Sequence, residues 1–185
     1  MTGPEKFTPD EWRSLTRAGV LVGHSIIICD KPRRARKEQR ALWKAFERTA
    51  ANYPGNELIA AVMPEAKRMA QGRIDARTLF MEREIVTEGF MKELGAVGKI
   101  LTKAEEKEAR EFKLWLLNLG EVTALAVRDE ELANIGLPGD EISKTEKKTL
   151  KRAAQELRLV PYVVDMDPVH SKRPGRAERL SRIHI

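Results

Sequence analysis

The amino-acid sequence predicts an all-α fold: a compact bundle of about six to seven helices with an irregular C-terminal extension. Three observations carry this reading. Ser/Thr-x-x-Glu boxes, which mark helix starts, stand at Thr8, Thr102 and Ser143. Apolar residues recur at three- and four-residue intervals along most of the chain. The 185 residues are 42% hydrophobic and 34% charged, a balance that suits helices with one buried and one wet face. Aromatics make up only 5%, so the core is expected to rest mostly on Leu, Ile, Val, Ala and Met.

The first helix opens at Thr8-Pro9-Asp10-Glu11, with a capping threonine, a proline at the first helical position and a glutamate three residues after the cap. Trp12, Leu15, Gly19, Val22 and Ile26 follow at helical spacing, and Gly19 and Gly23 would let another helix approach closely. Val20 to Cys29 is rich in β-branched residues and also suits a strand. Pro32 ends the element, because it disfavours a helical conformation at Lys31.

A second helix is expected from about Arg33 to Ala51, closed by Asn52-Tyr53-Pro54-Gly55. Asn56 can cap a short third helix that Pro64 would kink or split. Asp75 can cap a fourth, with Leu79, Val86, Phe90, Leu94 and Val97 on one stripe. From Thr102 a long helix aligns Phe112, Trp115, Leu116, Leu119, Val122 and Ala126, while Leu114, Leu117 and Leu125 cover its other sides. Apolar on several faces, it is expected at the centre of the bundle. Asp129 to Asp140 reads as a loop, and Ser143 opens a closing helix with Leu150, Ala153, Ala154 and Leu157 inward. The helical domain thus spans 1–159, and 160–185 forms an extension with a basic tail.

Cys29 is the only cysteine, which excludes an internal disulfide and any multi-cysteine metal site. No apolar run approaches the roughly 20 residues of a membrane span, and the N-terminus has no secretory layout, so a cytoplasmic protein is expected.

The net charge of +6 is local. Between Lys31 and Arg48 eight basic residues stand against Glu38 and Glu47, an excess equal to that of the whole chain. At about 100° per residue, Arg33, Arg36, Lys37, Arg40, Lys44 and Arg48 fall within an arc of about 120°, broken mainly by Glu47. Ala35, Gln39, Leu42 and Phe46 lie opposite. Such a stripe fits an anionic macromolecule, a nucleic acid or an acidic protein, or an anionic lipid surface. The blander alternative is a solvated face that pairs with acidic neighbours such as Glu82, Glu84 and Glu88. Tyr162 and Val163, in the apolar piece Pro161 to Val164, and Arg173 and Arg176 in the tail are candidate contacts for a protein partner.

Asp140, Glu141 and Glu146 gather carboxylates around a helix start, where a divalent cation could bind. The helix dipole alone also favours acidic residues there. No other cofactor is called for. Catalytic patterns are missing too. His24, His170 and His184 have no metal-ligand spacing, and His24 is expected to be a buried side chain with one hydrogen bond beside a buried, inert Cys29. Gly95-Ala96-Val97-Gly98-Lys99 lacks the spacing of a phosphate loop, and Glu84 and Glu88 have no Glu-x-x-His partner. A non-enzymatic protein is expected.

Gly139-Asp140-Glu141-Ile142-Ser143-Lys144-Thr145-Glu146, with Leu150, Ala153, Ala154 and Leu157 after it, resembles the TerB-like, tellurite-resistance family of helical bundles. Cys29-Asp30-Lys31 is similar to an earlier acidic turn of that family, and Phe7-Thr8-Pro9-Asp10-Glu11-Trp12 to the opening of such bundles. The resemblance implies an all-α bundle, divalent-metal binding at the acidic turns and a stress-associated scaffold without catalysis. Here the family's Asp-Gly order is reversed, and the positive charge after Asp30 opposes a cation.

Overall fold

The computed structural model describes residues 2–29, 35–72, 80–133 and 142–159. Its axis is α1 (Pro9–Cys29), which packs against every other helix described below. The helix starts where the Thr8 box places it. The Glu11 N–H donates to the Thr8 hydroxyl (3.3 Å), and the Thr8 N–H donates back to the Glu11 carboxylate (2.9 Å). The segment that also suited a strand is helical to Cys29. Its ambiguity has a physical cause: Leu21, Val22, Ser25, Ile26, Ile27 and Ile28 are all buried, so no polar face marks the helical period. The buried Ser25 hydroxyl donates to the Leu21 carbonyl within the same helix (2.8 Å).

α2 (Ala35–Ala50) lies across α1 at Gly19 and Gly23. A Cβ on Gly19 would stand 2.7 Å from the Phe46 ring, and one on Gly23 only 2.3 Å from a Leu42 methyl. The glycine pair therefore sets how closely α2 approaches the axis.

α3 (Glu57–Ala70) is capped by Asn56, whose side chain accepts from the Ile59 N–H (2.9 Å). The Asn56 amide also donates to the Glu108 carbonyl (3.0 Å) and the Glu111 carboxylate (2.9 Å), which ties this cap to the long helix. Pro64 does not split α3. Pro64 and Ala60, the residue whose carbonyl loses its N–H partner, are both exposed, so water can take that bond.

α4 (Arg83–Ile100) packs mainly against α1 and the last helix, burying Met91, Leu94 and Val97. Leu79 and Asp75, placed on this element from sequence, lie outside the described residues. The box expected at Thr102 does not form. The chain leaves α4 through a tight 3-10 turn, Leu101–Lys103, so the Thr102 hydroxyl donates back to the Lys99 carbonyl (2.7 Å). α5 (Glu106–Ala133) starts three residues later than predicted, and the Glu105 N–H finds the Thr2 hydroxyl instead (3.2 Å). α5 also continues through Asp129, where a loop was expected, because Glu, Leu and Ala sustain the helix as far as Ala133. It packs on α1, α2, α3 and the last helix, so α1 rather than α5 is the central element.

α6 (Lys144–Glu156) opens with the predicted box: the Glu146 N–H donates to the Ser143 hydroxyl (3.2 Å) and the Ser143 N–H to the Glu146 carboxylate (2.7 Å). Leu150, Ala153, Ala154 and Leu157 are buried, as expected. Arg158 ends the helix in the left-handed region (φ 55°), and the Leu159 N–H reaches the Ala154 carbonyl (2.9 Å).

Aliphatic residues fill most of the core, yet its largest fully buried side chains are Trp115, Phe46 and Phe112. They meet edge to face, with the Trp115 ring centroid 6.0 Å from Phe46 and 5.3 Å from Phe112. This cluster fastens α2 to α5.

Candidate anion-binding face

α2 buries Ala35, Glu38, Leu42, Ala45, Phe46 and Thr49, and exposes Arg36, Lys37, Arg40, Lys44 and Arg48. Sequence and structure agree on the sidedness. The helix is held by Leu42 in the Gly23 contact and Phe46 against Trp115, so the basic row stands on a fixed backbone.

Two carboxylates were expected to offset this row, and neither does so on the surface. Glu38 is 1% exposed, turned to the interior. Glu47 is exposed but ion-pairs with Lys67 of α3. The Lys67 ammonium also lies 4.6 Å from the centroid of the Trp43 ring. Glu47 therefore belongs to a Trp43–Lys67–Glu47 group on the flank of the row. Sequence reasoning missed this group because Lys67 arrives from another helix.

Among the described residues, Arg36, Arg40, Lys44 and Arg48 form no ion pair with a carboxylate. Of the acidic neighbours named in the blander reading, Glu88 is engaged elsewhere, and Glu82 and Glu84 form no ion pair among the described residues. Glu88 receives both arms of the Arg152 guanidinium of α6 (2.5 and 2.6 Å), which holds its carboxyl below the usual range. α4, which carries Glu84 and Glu88, packs against α1 and α6 rather than chiefly against α2. Arg36, Arg40, Lys44 and Arg48 follow one another at four-residue intervals, about 6 Å per step and about 18 Å in all. Duplex nucleic acid carries one negative charge per about 1.7 Å of axis, so about ten phosphates lie along such a row.

Of the other predicted site residues, Arg33, Asp140, Glu141, Tyr162, Val163, Arg173 and Arg176 lie outside the described residues. Glu146 is described. It is buried and spends one carboxylate oxygen on the cap of α6. Among the described residues no group of three or more His, Cys, Asp or Glu side chains stands close enough to hold a metal ion.

His24 is half-buried, but its Nε2 is fully buried without a hydrogen-bond partner. Its ring lies 6.4 Å from Phe90 of α4. Burial pushes the imidazole pKa down to about 4, against a smaller opposing effect of the Gln39 amide. The side chain is therefore neutral at pH 7. Cys29 is half-buried rather than buried, and its thiol donates to the Ile26 carbonyl (3.1 Å).

No helix among the described residues is long and apolar enough to cross a membrane. The chain matches no protein-family model, no curated protein and no solved structure.

Proposed function

We propose that this protein is a non-enzymatic binding or scaffold protein that engages an anionic macromolecule through the exposed basic face of α2. The phosphate backbone of a nucleic acid is the partner chemistry that the face fits best. One observation carries the reading. Arg36, Arg40, Lys44 and Arg48 stand in line on a rigid helix, and none pairs with a carboxylate among the described residues. Binding a polyanion there breaks no internal ion pair and orders no backbone, so little of the Coulomb gain is offset.

The chemistry of the face favours phosphates over bases. Trp43 is half-buried beneath Lys67, and no aromatic ring interleaves with the basic side chains. Contacts of this kind position a nucleic acid without reading its sequence, the behaviour of an accessory subunit in a larger nucleoprotein assembly. The stress-associated scaffold role is part of the same proposal and rests on the TerB-like resemblance alone.

The test is titration of labelled duplex DNA, duplex RNA and a polyglutamate peptide with the full chain at low salt. The expected result is tighter binding to the duplexes, weakened at least tenfold by Arg36→Gln/Arg40→Gln/Lys44→Gln. Absence of duplex binding overturns the reading. Tighter binding to polyglutamate would transfer the face to an acidic protein.

A further inference from the structure

The outer side of α4 has no use in the reading above. Met81, just before the helix, and Ile85, one turn on, are the exposed large hydrophobic residues of the described chain, at 79% and 75% exposure. Opposite the buried line of Met91, Leu94 and Val97, the exposed residues continue as Ile85, Glu88, Gly89, Lys92, Ala96 and Lys99. At Gly89 no atom lies within 4 Å of where a Cβ would stand, so another backbone can come close there.

Charge along this side is divided by half. On this side the first half holds Glu82, with Arg83 and Glu84 exposed beyond its edge, and the second holds Lys92 and Lys99; Glu82, Lys92 and Lys99 form no ion pair among the described residues. The other carboxylates nearby are taken, Glu88 by Arg152 and Glu93 by Arg17 (3.5 Å). A helix that is acidic and apolar at one end, and basic with small or long-stemmed residues at the other, is complementary to itself when antiparallel.

We propose that α4 is a two-fold interface with a second copy of this chain, the helices crossing antiparallel at Gly89. In that crossing Ile85 lies against the aliphatic stem of the second copy's Lys92 and against its Ala96, and Met81 extends the apolar strip. Glu82 comes level with the second copy's Ala96, one turn, about 4.5 Å, from its Lys99, within lysine reach. The symmetry makes each contact twice. One helix per copy buries less than the roughly 1,200 Å² of a stable interface, so the dimer is weak, with a dissociation constant on the order of micromolar.

The test is sedimentation equilibrium of the full chain from about 1 to about 300 µM, a range spanning such a constant. A concentration-dependent rise from monomer to dimer mass is expected. Ile85→Glu and Gly89→Leu should each raise the dissociation constant at least tenfold. Neither position has packing to lose, so melting curves of the dilute variants should show no loss of stability. Glu82→Lys and Lys99→Glu should each abolish self-association, and an equimolar mixture of the two should restore a heterodimer, because both cross-pairs then join opposite charges. A chain that is monomeric throughout, or a dimer indifferent to Ile85→Glu and Gly89→Leu, overturns the proposal, as does failure of the charge-swapped mixture to pair.

Discussion

Replacing Gly23 by alanine adds one methyl group where two helices touch. That methyl would lie 2.3 and 2.4 Å from the two methyls of Leu42 and 2.8 Å from its Cγ, whereas real Cβ contacts essentially never fall below 3.0 Å. Leu42 is wholly buried, so relief means moving it, and α2 with it, by about 1 Å to regain ordinary contact. Overpacking of this kind costs about 1–3 kcal/mol, and alanine returns about 1 kcal/mol through helix propensity. The net loss is up to about 2 kcal/mol, and for a chain of this size each kcal/mol lowers Tm by about 2–4 °C. Gly89→Ala is the control. The same substitution in another helix meets open space, so only the propensity gain remains and Tm should rise by about 2–4 °C. Thermal and urea melts of dilute protein measure both. A Gly23→Ala variant stabilised as much as Gly89→Ala would refute the claim that this contact sets the depth of α2.

Asn56→Ala removes a cap and two bonds to α5, and should cost about 2 kcal/mol in urea melts. Asn56→Asp keeps the cap but sets a carboxylate against the Glu108 carbonyl and Glu111, so it should also destabilise at pH 7 and recover in part as the pH falls. Arg158→Gly relieves a left-handed backbone and removes a cation whose repulsion, after burial, helps lower the Lys113 pKa; a gain of about 1 kcal/mol is expected. His24 gives a pH signature. Its folded pKa of about 4 lies below the unfolded 6.5, so the neutral ring adds no pH dependence above 6.5. As pH falls from 6.5 towards 4 the unfolded chain takes up a proton that the fold resists, and stability drops by up to about 3 kcal/mol. His24→Phe should lose correspondingly less between pH 7 and 4.5, and an unchanged loss in that variant would remove His24 as the cause.

Where the sequence was legible, the interactions were local. The Thr8 and Ser143 boxes and the Asn56 cap each close within three residues, and all three formed. The box at Thr102 failed because its outcome depended on how the preceding helix ended. Val20 to Cys29 was ambiguous because burial on all sides erases the periodic signal, and the same burial made α1 the axis. On α2 the basic arc was readable from spacing, but the fates of its two glutamates were not: Glu38 turned inward, and Glu47 met Lys67 from α3. Those tertiary facts turn an interrupted stripe into a continuous one.

The most direct test of the central claim is the salt dependence of duplex binding. For duplex DNA the slope of log K against log salt is about −0.9 per phosphate neutralised. Arg36, Arg40, Lys44 and Arg48 together predict a slope of about −3 to −4, reduced by about 1 with each of Arg36→Gln, Arg40→Gln and Lys44→Gln. A slope near zero, or one that these substitutions leave unchanged, would contradict the assignment of α2 as the binding face.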